Sequence, residues 1–134
     1  MQGVFYLLYI RIRAKIHQGN LLASDSTQKI DMNSPEFLSE LQKTKQFTDK
    51  VIQQFGFFYN PDSEVNESIQ LGLTRHKMLH GKRYCPCFFV THTKEDRLCP
   101  CKPALAHEIP HEGHCHCGIY CSKEFIEASL SSKA

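Results

Sequence analysis

The chain has 134 residues, enough for one domain with a modest hydrophobic core. Sixteen basic against 14 acidic residues leave a formal charge of +2, which argues against a general nucleic-acid binder. Charged residues at 22% and hydrophobic residues at 41% are ordinary for a globular protein and exclude a disordered chain.

The N-terminus opens on an apolar run, residues 3–10, far too short to span a bilayer. Its positive charges, Arg11, Arg13 and Lys15, follow the run, whereas a secretory signal carries them in front. The first 24 residues lack Asp and Glu, a weak transit-peptide resemblance. We read residues 1–32 as an N-terminal extension, flexible or an upstream start with Met32 the natural beginning, and residues 33–134 as the domain. The expected address is cytoplasmic, with a plastid as the alternative, and no membrane is expected.

Ser34-Pro35-Glu36 starts the first element: a capping Ser, a Pro tolerated at the first helical position and a carboxylate suited to the positive helix end. Phe37, Leu41, Val51, Ile52 and Phe55 follow near helical spacing until Gly56, which predicts an amphipathic helix over 35–55. Phe57-Phe58-Tyr59 connects to the turn residues Asn60-Pro61-Asp62. A second helix is predicted from Ser63 to His80, with Val65, Ile69, Leu73 and Leu79 inside and Gly81 at its end. His76 lies on that stripe and reads as a core or interface histidine.

Beyond Gly81 the pattern breaks up. Residues 93–98 and 103–109 suit short helical turns, and 122–130 a last short helix with Phe125, Ile126 and Leu130 on its apolar side. No alternating strand stands out. The expected fold class is all-α: a small multihelical domain whose loops wrap a site that itself organises the C-terminal half.

That site is announced by cysteine. All seven lie between Cys85 and Cys121, whereas a secreted disulfide scaffold would spread an even number along the fold. They read Cys85-Pro86-Cys87, Cys99-Pro100-Cys101 and Cys115-His116-Cys117, then Cys121. Structural zinc knuckles mostly use wider spacing. In an extended C-x-C segment both side chains point the same way, and a proline stiffens it. A [4Fe–4S] cluster takes four cysteines, so six leave two, the number a dithiol–disulfide couple needs. Two zinc ions sharing thiolates would also use six, as a structural zinc-binding interaction module.

Gly72-Leu73, His76-Lys77, Gly81 and the ordered CPC, CPC and CHC triplet resemble the catalytic (beta) subunit of ferredoxin–thioredoxin reductase, over roughly residues 33–121. Compared with the plant and cyanobacterial pattern, the first gap between pairs is shorter and the second longer, their sum the same. Cys121 has no counterpart. The resemblance implies that Cys85, Cys99, Cys101 and Cys115 ligate the iron of a [4Fe–4S] cluster and that Cys87 and Cys117 form the active disulfide. It further implies that Cys87 attacks the target disulfide while Cys117 resolves the mixed disulfide, and that His116 handles protons near neutral pH. The implied partners are a thioredoxin-like protein and a ferredoxin-type one-electron donor, with a small second subunit in the plant-type enzymes. An electron carrier or sensor that keeps the cluster but lacks the thioredoxin partner is a further alternative.

Lys82, Arg83, Lys94, Arg97 and Lys102 flank the cysteines against Glu95 and Asp96, a locally basic rim suited to an acidic donor or simply a solvated face. Phe88 and Phe89, after the first pair, are placed to cover the cluster or to meet a thioredoxin, and core cover is the expected role. Cys121 reads either as an alternative thiol or as a small buried hydrophobe.

Overall fold

Helix α1 spans Pro35–Phe55 and α2 spans Ser63–His80, the bounds the sequence predicts. These come from a computed structural model that describes residues 29–132, in which the chain from Asp31 onward forms one unit. The expected extension, residues 1–32, lies outside the described residues except for residues 29–32. Ser34 Oγ accepts the Phe37 N–H at 3.2 Å and Asp62 Oδ1 accepts the Glu64 N–H at 3.0 Å, each satisfying an orphan donor of a first helical turn. Gly56 and Gly81 close the helices in left-handed conformation.

Strand β1, Phe58–Tyr59, pairs antiparallel with β2, Tyr120–Cys121, placing Phe58 opposite Cys121 and Tyr59 opposite Tyr120. A wide, π-type helical segment covers Ala104–Glu112, and α3 covers Lys123–Ser132. The helical expectation therefore holds with a two-stranded sheet added. Two residues per strand are too few for an alternation to register in sequence. Residues 93–98 make a turn rather than a helix.

The two long helices meet through hydroxyls as much as hydrocarbon. On α1, Phe37, Thr44, Thr48 and Val51 are buried on one face, while Phe55, expected inside, is 41% exposed and stacks on Phe57. On α2 the buried residues are Gln70, Leu73 and Thr74, with Val65, Ile69 and Leu79 half-buried. Thr74 Oγ1 meets Thr44 Oγ1 at 2.9 Å, and Gln70 Nε2 donates to Thr48 Oγ1 at 3.0 Å. Arg83 Nε also donates to Thr44 Oγ1, and Tyr59 Oη meets Thr48 Oγ1 at 2.8 Å. Each such bond contributes only about 1 kcal/mol net, but a buried hydroxyl left without a partner costs about 1–3 kcal/mol, so the seam holds one register.

Helix α2 is the hinge between this seam and the cysteines. Gln70 and Thr74 face α1, whereas Ile69 and Leu73 line the cysteine pocket. Gly72 lets the first cysteine loop come in close: a Cβ there would lie 2.5 Å from Pro86 Cβ. The remaining core gathers Val51 of α1 with Cys101, Ala104, Ile109, Cys115, Ile119 and Tyr120.

Candidate functional site

Short backbone ladders hold the three cysteine pairs. Tyr84 and Leu98 form an antiparallel bridge, with the Cys85 N–H on the Arg97 carbonyl at 2.7 Å and the Cys99 N–H on the Arg83 carbonyl at 3.0 Å. The first two pairs therefore start side by side despite the loop between them. His114 bridges Cys121; the Cys115 N–H donates to the Tyr120 carbonyl at 3.0 Å and the Ser122 N–H to the Gly113 carbonyl at 2.7 Å. The first and last pairs each open a tight turn: the Phe88 N–H returns to the Cys85 carbonyl at 3.3 Å and the Gly118 N–H to the Cys115 carbonyl at 2.9 Å. These pairs are not extended, so the two sulfurs of each do not simply project together. The turn buries Cys85 and Cys115 and leaves Cys87 exposed and Cys117 half-buried.

The turns bring sulfur from both ends of the motif together. Cys85 Sγ and Cys117 Sγ are 2.7 Å apart, and the sulfurs of Cys85, Cys87 and Cys117 all lie within 4.8 Å of one another. Beside them is a partly open pocket. Cys85, Cys99, Cys101, Cys115 and Cys117 line it, with Ile69, Leu73, Pro86, Ala104 and Ile119 as apolar wall. The four expected ligands thus share one pocket. The expected redox cysteines flank it, Cys117 on the wall and Cys87 outside.

Burial and mutual hydrogen bonding set the electrostatics of these thiols. Burial pushes Cys99 up to about 12 and raises Cys115, so both lack a neighbouring positive charge that would hold them as thiolates. A bound metal supplies that charge and deprotonates a coordinating thiol outright. Cys85 falls to about 7, first because Cys117 hydrogen-bonds to it. Donating that bond raises Cys117, and burial followed by the charge on Cys85 raises Cys87. The tight trio could hold a metal ion by itself, yet two of its three sulfurs are the partly open ones. Cys85, Cys99, Cys101 and Cys115 line the apolar pocket beside that trio.

Tyr120 is a site residue with no sequence signal beyond its place three residues after the last pair. Buried, it brings its hydroxyl to 3.4 Å from Cys99 Sγ and its N–H to 3.5 Å from Cys115 Sγ. Glu108 is another. Its Oε2 accepts from Arg97 Nη1 at 3.0 Å and its Oε1 from the His116 backbone N–H at 3.2 Å, which ties both inter-pair loops to the last pair. This partnership raises Arg97 and lowers Glu108 against the opposing effect of burial. Arg97 lies over the Phe88 ring, and that ring packs against exposed His116.

Several expectations change here. Phe88 is half-buried as cover, but Phe89 is 95% exposed, because consecutive side chains leave this short loop in opposite directions. The basic rim shrinks to Lys82, Lys94 and Lys102, since Arg83 is spent on Thr44 and the Phe47 ring and Arg97 on Glu108. His76 behaves as an interface histidine: half-buried, it bonds through Nδ1 to the Tyr84 carbonyl, and burial lowers its pKa. Cys121 is fully buried, and burial pushes it up to about 11, the behaviour of a small hydrophobe.

The profile of the family described as ferredoxin thioredoxin reductase catalytic beta chain matches residues 34–134. A ferredoxin-thioredoxin reductase, catalytic chain, from Pyropia yezoensis is 28% identical over 93 residues, covering 66% of this chain and 76% of that protein.

Proposed function

The chain belongs to the ferredoxin thioredoxin reductase catalytic beta chain family, and on that premise we propose that it reduces the disulfide of a thioredoxin-like protein with electrons from a ferredoxin-type donor. The observation that carries this reading is the meeting of Cys85, Cys87 and Cys117 sulfurs within 4.8 Å at the rim of a cysteine-lined apolar pocket. Cys85, Cys99, Cys101 and Cys115 would hold a [4Fe–4S] cluster, and Cys87 with Cys117 would be the active dithiol–disulfide. The cluster, when bound, supplies electrons one at a time to a bond that needs two.

The protein's own residues do the rest. Exposed Cys87 is the thiol a large substrate can reach, so its thiolate attacks one sulfur of the target disulfide. A Cys87–substrate disulfide forms, and the second substrate sulfur leaves as a thiolate and takes a proton. Cys117, half-buried beside Cys87, then attacks the Cys87 sulfur, which restores the Cys87–Cys117 disulfide and releases the substrate as a dithiol. Two electrons and two protons return the pair to its reduced state. His116, exposed between Cys115 and Cys117, is placed to exchange those protons with solvent, with Glu108 fixing its backbone and Phe88 its ring. None of the helices among the described residues is long and apolar enough to cross a membrane.

The test is metal and sulfide content on anaerobically purified protein, followed by Cys87→Ser. About four irons and four sulfides per chain are expected. The variant is expected to keep them while losing disulfide reduction. Zinc without iron would replace the redox reading with a structural zinc module, and full activity of Cys87→Ser would refute the assigned nucleophile.

A further inference from the structure

Phe89 is 95% exposed, while the other exposed large apolar residues among the described ones lie between 41% and 61%. Isolated apolar residues on a surface are ordinary, and exposure by itself carries no function. Position is what distinguishes this one. Phe88 turns inward under Arg97 and against His116, so the next residue is held outward, two positions from the exposed thiol of Cys87.

Resting on the disulfide-reductase reading, we infer that Phe89 is the docking anchor for the protein substrate and selects partners with an apolar surface beside their disulfide. The geometry leaves little choice. A substrate sulfur must bond to Cys87 Sγ, so any protein–protein footprint is centred there. Two residues of extended chain span at most about 7 Å. A standard interface covers about 800 Å² on each partner, a disc of roughly 16 Å radius. Phe89 therefore falls near the centre of the footprint, where large apolar side chains contribute most of the binding energy once water is excluded. A small soluble disulfide reaching the same thiol covers only a few ångströms around the sulfur and need not touch the ring.

The experiment compares two substrates on the cluster-loaded protein, with a reduced viologen as electron source in place of any protein donor. One is an oxidised thioredoxin, the other 5,5′-dithiobis(2-nitrobenzoate). Phe89→Ala is expected to raise KM for thioredoxin about tenfold with little change in kcat, and to leave reduction of the small disulfide as in the parent. Phe89→Leu keeps most of the affinity, and Phe89→Glu loses more than Phe89→Ala. Melting temperatures should be unchanged, since the residue is almost fully exposed. Unaltered thioredoxin kinetics in Phe89→Ala and Phe89→Glu would overturn the docking role and leave the reductase reading standing. An equal loss on both substrates would also overturn it, because the residue would then act on the thiol itself. A parent protein inactive on both substrates, despite a full complement of iron, would overturn the reductase reading and the docking role with it.

Discussion

The helix pair from Pro35 to His80 and the cysteine-bearing stretch from Gly81 to Cys121 are stabilised by different means. The helices carry their own instructions: capping side chains at Ser34 and Asp62, left-handed glycines at their ends, and a buried seam of Thr44, Thr48, Gln70 and Thr74. The cysteine stretch has one helical segment and a few isolated ladder bonds, and Cys85, Cys101, Cys115 and Cys121 are among its buried residues. Its interior mixes those thiols with Ala104, Ile109, Ile119 and Tyr120, and little regular backbone hydrogen bonding supports it. The comparison teaches that the helices rest on local capping and a polar seam, whereas the cysteine stretch rests on contacts between segments distant in sequence.

Stripping the metal from the cysteine site would sharpen that comparison most. Amide exchange is expected to become faster across residues 81–121 while α1 and α2 stay protected, because the stretch has little regular backbone hydrogen bonding and the proposed metal would tie its cysteine pairs together. Equal loss of protection in both regions would show that they fold as one unit. Next in size, Gly72→Ala forces a Cβ against Pro86, which is held by its ring and cannot swing aside. We expect a loss of about 1–3 kcal/mol and reduced iron incorporation, read by melting and iron assay. Thr74→Val tests the other region. It removes one of the two partners of Thr44 Oγ1 and leaves Arg83, costs about 1 kcal/mol on urea titration, and should leave iron content unchanged.

Smaller effects come from hydrogen bonds. Removing the Tyr120 hydroxyl with Tyr120→Phe deletes a donor to Cys99 sulfur, so the reduced, more negative site is less stabilised. The potential should fall by about 20–60 mV on redox titration, with no loss of iron. Smallest is a pH effect in the helix half. Tyr59 is pushed up to about 12, first by burial and then by its hydrogen bond to Asp49. A raised folded-state value means its contribution is complete below pH 10 and is lost as pH climbs toward 12. Tyr59→Phe should flatten that part of a stability-against-pH curve.

The helices were legible because their signals are local. Ser34-Pro35-Glu36 and Asp62 starts, glycine stops and 3.6-residue spacing all act within a turn or two of one another. Thr44 and Thr48 escaped a pattern built on apolar residues, since a threonine satisfied across the helix seam looks in sequence like one facing water. Likewise Phe88 and Phe89 are the same residue type in adjacent positions, and only the Arg97 and His116 contacts decide that one is cover and the other is displayed.

By itself the sequence determined the helix bounds, the clustering of cysteine and the count of six paired thiols, which follow from backbone propensity and composition. The tertiary structure decided what no local rule can reach. It placed Cys85 beside Cys117 across 32 positions, put the Tyr120 hydroxyl on Cys99, joined Glu108 to both Arg97 and the His116 backbone, and set Pro86 on Gly72. These are contacts between segments distant in sequence, and the loop-closure and ladder bonds that create them become specific only when the chain is folded.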